Sequence, residues 1–179
     1  DYDLNTLVGC VDEIIRGRLD RKGIVHGVSY DRSYKVQRAS AFQAQILTHP
    51  PGGEEIAKAI GLFKQAQPPA VLVSPAVGFG YDFPGRDAEY VLTVKLPWPD
   101  TRDTVSARRC KEDAEYAPNL AMQAVVQGIG RGVRGVDDRC EALILDANWG
   151  WFWAKYRHLA PAWFDVRKVD RVPAPPPRL

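Results

Sequence analysis

Five short apolar runs, spread along the chain and separated by stretches of helical periodicity, constrain what this sequence can fold into. They are Ile24-Val25-His26-Gly27-Val28-Ser29, Gln45-Ile46-Leu47-Thr48-His49, Ala70-Val71-Leu72-Val73-Ser74, Tyr90-Val91-Leu92-Thr93-Val94 and Ala142-Leu143-Ile144-Leu145-Asp146. Each has the length and β-branched character of a strand. Ahead of the first, Leu4, Leu7, Val8, Val11, Ile14, Ile15 and Leu19 recur at helical spacing, with Asp12, Glu13, Arg16 and Arg18 between them, and stop near Arg21-Lys22-Gly23. That pattern predicts an amphipathic helix. A second helix, capped by Asp31 or Ser33, is expected through Phe42. Glu54–Ala66 reads as a third, with Ile56, Ile60 and Phe63 inward, and helical patterns resume at Thr101–Lys111 and Leu120–Gly130. Strands alternating with helices predict an α/β fold: a three-layer domain around a mainly parallel central sheet, over residues 1–165. Residues 166–179 form a tail, and its Val172-Pro173-Ala174-Pro175-Pro176-Pro177 is expected to be extended and outside the core.

The chain's 179 residues, 45% hydrophobic and 26% charged, suit one ordinary globular domain and exclude global disorder. A net charge of +2 neither announces nor excludes a nucleic-acid partner. Cys10, Cys110 and Cys140 are far apart and lack a CxxC pairing, so reduced thiols in a cytoplasmic protein are the expectation. No run approaches the ~18 apolar residues that span a bilayer, and no membrane partner is expected. The chain opens on Asp1 and its one methionine is Met122, which suggests a piece of something longer.

In a mainly parallel sheet, ligands collect beyond the carboxyl ends of the strands. That singles out Ser29-Tyr30, His49, Ser74-Pro75, Lys95 and Asp146. The chain has no GxxxxGK[ST] phosphate loop, and Gly128-Ile129-Gly130-Arg131-Gly132 fails as a dinucleotide fingerprint because a helical run precedes it. His26, His49 and His158 show no metal-ligand spacing, so no metal site is expected. Ser74 lacks the GxSxG elbow of a nucleophilic serine, and Glu54 and Glu55 suit the first turn of a helix. What remains is Gln127-Gly128-Ile129-Gly130-Arg131-Gly132-Val133-Arg134. Two arginines three apart at a helix end are either a solvated basic terminus or a pair of guanidinium forks offered to a phosphate on a neighbouring domain.

Gln127-x-x-Gly130-Arg131-x-x-Arg134 resembles motif VI of superfamily 2 helicases, QxxGRxxR. Upstream, Ser74–Gly85 resembles motif V, although Phe79 stands where that family often has an acidic residue, and Val25–Tyr30 is similar to motif IV. Asp137-Asp138 through Leu143-Ile144-Leu145-Asp146 resembles the segment after motif VI in the XPD/DinG branch. Three motifs in order over residues 1–165 imply the second, C-terminal RecA-like domain of an ATP-dependent DNA helicase or translocase.

The resemblance implies that ATP and Mg2+ are held mainly by an N-terminal RecA-like domain absent from this chain. Arg131 and Arg134 would reach the γ-phosphate as arginine fingers. Gln127 and Gly130 would lie against nucleotide, while Gly80 and Asp82 would help bind its ribose and couple it to the nucleic-acid track. Single-stranded DNA would meet Ser29, His49, Ser74 and Lys35, with Arg38 nearby, through contacts that position a strand without reading its sequence. The aromatic residues from Trp149 to Phe164 could stack bases, but their spacing better suits packing. The alternatives are a stand-alone RecA-like nucleic-acid-binding module without ATPase activity, and a small α/β enzyme with an unrecognised nucleophile.

Overall fold

The structure is a computed structural model and describes residues 3–26, 29–78, 80–133, 138–169 and 171–177. Five strands, β1 (Lys22–His26), β2 (Ile46–Leu47), β3 (Ala70–Val73), β4 (Tyr90–Thr93) and β5 (Glu141–Ile144), form one sheet in the order β2-β3-β1-β4-β5. Every pairing is parallel. The helices are α1 (Leu4–Arg16), α2 (Tyr30–Ala39), α3 (Gly53–Gln65), α4 (Thr104–Glu112), α5 (Tyr116–Ile129) and α6 (Trp149–Tyr156). All five expected strands are present, and the architecture is the three-layer RecA-like α/β fold.

Parallel strands need both faces covered, because their crossovers lie on the faces. Alternation within each strand shows how this is done. Val25, Val71, Val73, Tyr90 and Leu92 pack with Leu7, Val11, Ile14 and Ile15 of α1 and Val36 of α2. Their neighbours Ile24, Ala70, Leu72 and Val91 pack on the other face with Ile56, Ile60 and Phe63 of α3. A third cluster joins Met122 and Val125 of α5 to Trp149, Phe152 and Tyr156 of α6 and to Phe164. The packing role expected for the aromatic segment holds for those residues, while Trp151 and Trp163 remain exposed.

Local chemistry shifts two predicted boundaries. Ser29, rather than Asp31 or Ser33, caps α2: its backbone is extended and its hydroxyl accepts the Arg32 N–H at 3.3 Å. Ser33 instead donates to the Ser29 carbonyl at 2.9 Å. The helix then ends at Ala39 because Asp12 of α1 captures the next turn, accepting from the Ser40 hydroxyl at 2.5 Å and the Ala41 N–H at 2.9 Å.

At the opposite end of the chain, the proline-rich tail is extended but lies against the domain. Val172 packs on the α1 cluster, the Pro173 carbonyl accepts from Arg18 at 3.0 Å, and the Pro176 carbonyl accepts from Arg21. None of residues 171–177 is buried, so the tail lies outside the core, laid on the surface with two of its carbonyls satisfied by buried arginines.

Gly23 shows how tightly the sheet is filled. A Cβ there would stand 2.0 Å from the Tyr90 ring, so only glycine lets that ring lie across β1. Gly23→Ala should lower unfolding free energy by about 1–3 kcal/mol through overpacking. The buried Tyr90 hydroxyl has no hydrogen-bond partner among the described residues. Tyr90→Phe should therefore be neutral or stabilise by up to ~1 kcal/mol. Urea denaturation of the two variants checks both signs.

Candidate functional site

β3 leaves the sheet at Val73, and among the described residues no α-helix intervenes before β4. The connecting segment depends on backbone freedom at Gly80, with φ of 78°, and Gly85, with φ of 61°, both left-handed conformations that side chains disfavour. From the other side, α5 stops at Ile129 and a 3-10 turn, Gly130–Gly132, carries Arg131. Arg131 thus stands just past the helix, at the helix end that the sequence indicates, on a 3-10 turn.

Arg131 joins the two segments. Its Nε donates to the Gly78 carbonyl at 3.0 Å and its Nη1 to the Asp82 carboxylate at 3.2 Å. Its own carbonyl accepts the Phe83 N–H at 3.2 Å. The side chain is 16% exposed, against 59% for Asp82, so the guanidinium is held half-sunk behind a carboxylate that faces water. A planar fork with five N–H donors can satisfy a carbonyl and a carboxylate and still have donors to offer.

The flanking glycines do different work. A Cβ on Gly132 would meet Cys140 Sγ at 2.4 Å and the Ala88 carbonyl at 2.9 Å, so glycine lets this turn press onto the sheet. Gly130 has an ordinary φ of −65° and open space around its Cβ position. Its bareness serves no internal packing and leaves room for a surface to approach beside Arg131.

Beneath the pair sits His26, the last residue of β1, only 8% exposed. A Cβ on Gly128 would stand 3.6 Å from its ring, and one on Gly78 would stand 4.0 Å away, so the imidazole fills the space under both turns. Its Nε2 finds no hydrogen-bond partner among the described residues. Burial, reinforced by the positive Arg131, pushes its pKa down to about 4, while the nearby Gly128 backbone pulls weakly the other way without reaching hydrogen-bonding geometry. In the sequence His26 stands out as a histidine without metal-ligand spacing and as part of the stretch similar to motif IV, but not as a support beneath Arg131. A histidine closing an otherwise apolar strand is the signal that could have found it.

His49 and Ser74 come together, but below the surface, 3% and 0% exposed. His49 Nδ1 lies 2.8 Å from the Pro50 carbonyl, which can only accept, so Nδ1 carries the proton. Nε2, 2.7 Å from Ser74 Oγ, is then the acceptor for the Ser74 hydroxyl, whose oxygen also receives the Ala76 N–H at 3.1 Å. Tyr30 packs edge-on against this imidazole at 5.5 Å. With both nitrogens and the hydroxyl engaged within the fold, the two residues brace the strand ends.

Ser29 is exposed at the start of α2, and Lys35, one turn and a half later, pairs with Asp31 at 2.6 Å on the exposed helix surface. Gln127 is exposed, bordering a groove with Met122, Val126 and Leu159, and no hydrogen bond joins it to Arg131. Asp146 accepts the Leu96 and Asn148 N–H groups at 2.6 and 2.7 Å and so closes a turn. Arg134, with Phe79, Gly27, Val28 and Asp137, lies outside the described residues. Among the described residues no cluster of three or more His, Cys, Asp or Glu side chains could hold a metal ion. No described helix is long and apolar enough to cross a membrane.

The chain belongs to the helicase C-terminal domain family, whose model matches residues 21–167. Its fold is similar to the solved structure of S. tokodaii Xpd4, with a TM-score of 0.58 and 16% identity, covering 85% of this chain and 32% of that one. This chain therefore spans about a third of the length of that protein. No curated protein matches it. The family match bears out the expectation of a helicase C-terminal domain, and the structural match bears out its RecA-like fold.

His26 also sets a pH dependence. Its folded pKa lies below the ordinary imidazole value of 6.5, so the unfolded chain binds the extra proton first. The resulting stability is present above pH 6.5 and is lost as pH falls toward about 4. The loss should amount to about 3 kcal/mol. His26→Leu should lack this acid loss, so urea midpoints measured across that window should shift in favour of the variant over the native chain as pH falls.

Proposed function

We propose that this chain is the second RecA-like motor domain of a longer ATP-dependent DNA helicase or translocase, and that Arg131 is its arginine finger. The supporting observation is the posture of Arg131, on a turn with an uncluttered Gly130 beside it and a guanidinium held in place by Gly78 and Asp82. Fixing a cation where charge will develop avoids reorganisation during reaction, which is how preorganised donors stabilise transition states.

ATP with Mg2+ would supply the phosphoryl group and its counter-charge, held mainly by an N-terminal RecA-like domain. The groups here suit the outer face of such a polyphosphate, since Arg131 is a donor-only cation and the chain contains no phosphate loop. Arg131 and Arg134 would approach the γ-phosphate when the two domains close, with Gln127 and Gly130 alongside. A phosphate oxygen would compete with the Asp82 carboxylate for the same guanidinium. Asp82 would then loosen its hold, and the segment from Gly78 to Phe83 would register the state of the nucleotide. Gly80, at a positive φ of 78°, lets the backbone turn there without side-chain strain. Closure driven by such a contact makes hydrolysis a switch between two domain arrangements.

Single-stranded DNA would lie across the strand ends. Ser29 at the start of α2 and Lys35 on its surface would offer polar contacts to phosphates, and the buried His49–Ser74 pair would hold the platform beneath them.

In the full-length protein, Arg131→Ala should lower ATP turnover by about 10³-fold. Steady-state ATPase assays check this, alongside thermal unfolding to confirm that the variant is folded; an undiminished rate overturns the assignment. The isolated chain should hydrolyse no ATP and should bind single-stranded DNA weakly, with affinity falling as salt rises. Fluorescence anisotropy with Lys35→Gln should show weaker binding and a shallower salt slope.

A further inference from the structure

We propose that the end of α1 and the start of β1 form a binding site for an extended, proline-rich segment, filled here by the chain's own tail. The ligand is chemically unusual. Pro173, Pro175, Pro176 and Pro177 carry no N–H donor, and proline disfavours helical backbone in the residue before it. The segment is therefore biased toward polyproline II before it docks, and its backbone offers mostly acceptors. With three residues per turn and ~3.1 Å per residue, carbonyls three apart fall on one side, about 9 Å from each other.

The receptor has the matching pattern. Arg18 and Arg21 stand three residues apart in the turn after α1, where the Arg21 N–H bonds to the Arg18 carbonyl at 3.0 Å. Arg18 donates to the Pro173 carbonyl at 3.0 Å and Arg21 donates to the Pro176 carbonyl. An all-donor pair thus meets an acceptor pair at the same sequence interval.

The site is also built, not improvised. Arg18 is fully buried, and Glu141 takes its Nε and Nη2 at 2.7 Å each while the Ile14 carbonyl takes Nη1 at 3.2 Å. The guanidinium is therefore oriented by α1 and β5, and the Pro173 carbonyl supplies a further acceptor for Nη2. Val172 supplies an apolar anchor against the α1 cluster.

The family match begins at Arg21 and ends at residue 167, so Arg18 and the tail both lie beyond it. The tail meets the start of β1, whereas Arg131 and Gly78 cluster about His26 at the strand's other end. Docking thus leaves the proposed nucleotide-facing turns uncovered, and the tail works as a strap across the junction of the first helix and the last strand.

A chain shortened to residues 1–169 and a synthetic peptide of residues 171–177 separate the two halves of the site. The shortened chain should unfold at a lower temperature, and the peptide should restore the midpoint saturably. A peptide with alanine at all four proline positions should bind about tenfold more weakly, because preorganisation is lost. No change with millimolar native peptide, or equal binding of the two peptides, overturns the proposal. Should the shortened chain fail to fold, limited trypsin digestion of the full chain decides. Arg21→Gln should then speed cleavage after Arg171 several-fold relative to cleavage after Lys168, and an unchanged ratio overturns it.

Discussion

A single buried cation ties the ends of this fold together. Arg18, at the end of the first helical segment, is wholly enclosed beside Tyr90 and joined to Glu141 on the last strand. Removing a charge from water costs several kcal/mol unless its hydrogen bonds are replaced. Here they are, by a bidentate carboxylate and two backbone carbonyls. An ion pair of this kind does not by itself make a protein more stable than a well-packed apolar equivalent would. Its consequence is geometric: α1, β5 and the tail can meet in only one arrangement, since any other leaves a buried charge unpaired. β5 is an edge strand paired to β4 alone, so this fastening holds the sheet's margin beside the segment that carries Arg131.

The same chemistry recurs in the candidate site with a different outcome. Arg131 also binds one carbonyl and one carboxylate, but its carboxylate, Asp82, is largely in water. An exposed ion pair is screened and worth little, so it can be exchanged for a better anion at small cost. Arg18 is enclosed with all its partners; Arg131 is held in position by a carboxylate that faces water. Burial, more than residue type, separates the fastening from the candidate switch. His26 shows the same principle in reverse, because enclosure beside Arg131 keeps an ordinarily titratable ring neutral.

Much of the fold is legible in the sequence because it rests on local periodicity. The runs at Ile24, Ile46, Val71, Val91 and Leu143 are long enough in apolar residues to mark strands, and the intervening Leu7, Val11 and Ile14 or Ile56, Ile60 and Phe63 mark helix faces. Arg131, Gly80 and Asp82 are legible as a motif, and the fold brings them into one cluster. Where sequence and structure part, long-range partners decide. Ser29 takes the cap ahead of Asp31 and Ser33 through its extended backbone, and α2 stops early because Asp12 reaches over from α1. His49 and Ser74 look available at strand ends, yet 25 residues of separation conceal that they satisfy each other. The proline tail has no periodicity that could reveal two arginines waiting 155 positions upstream.

The sequence alone thus determined the parallel α/β architecture, the helicase motifs and the glycines that shape their turns, because these are set by side-chain spacing and backbone permissiveness within a few residues. Only the tertiary structure decided which polar groups are spent and which are on offer. Arg18, Arg21 and Arg131 are alike as letters in a sequence. Desolvation makes the first a buried fastening, the tail carbonyl engages the second, and a solvent-facing carboxylate holds the third near the surface. Those distinctions depend on distance to water and to partners far along the chain, which no local pattern encodes.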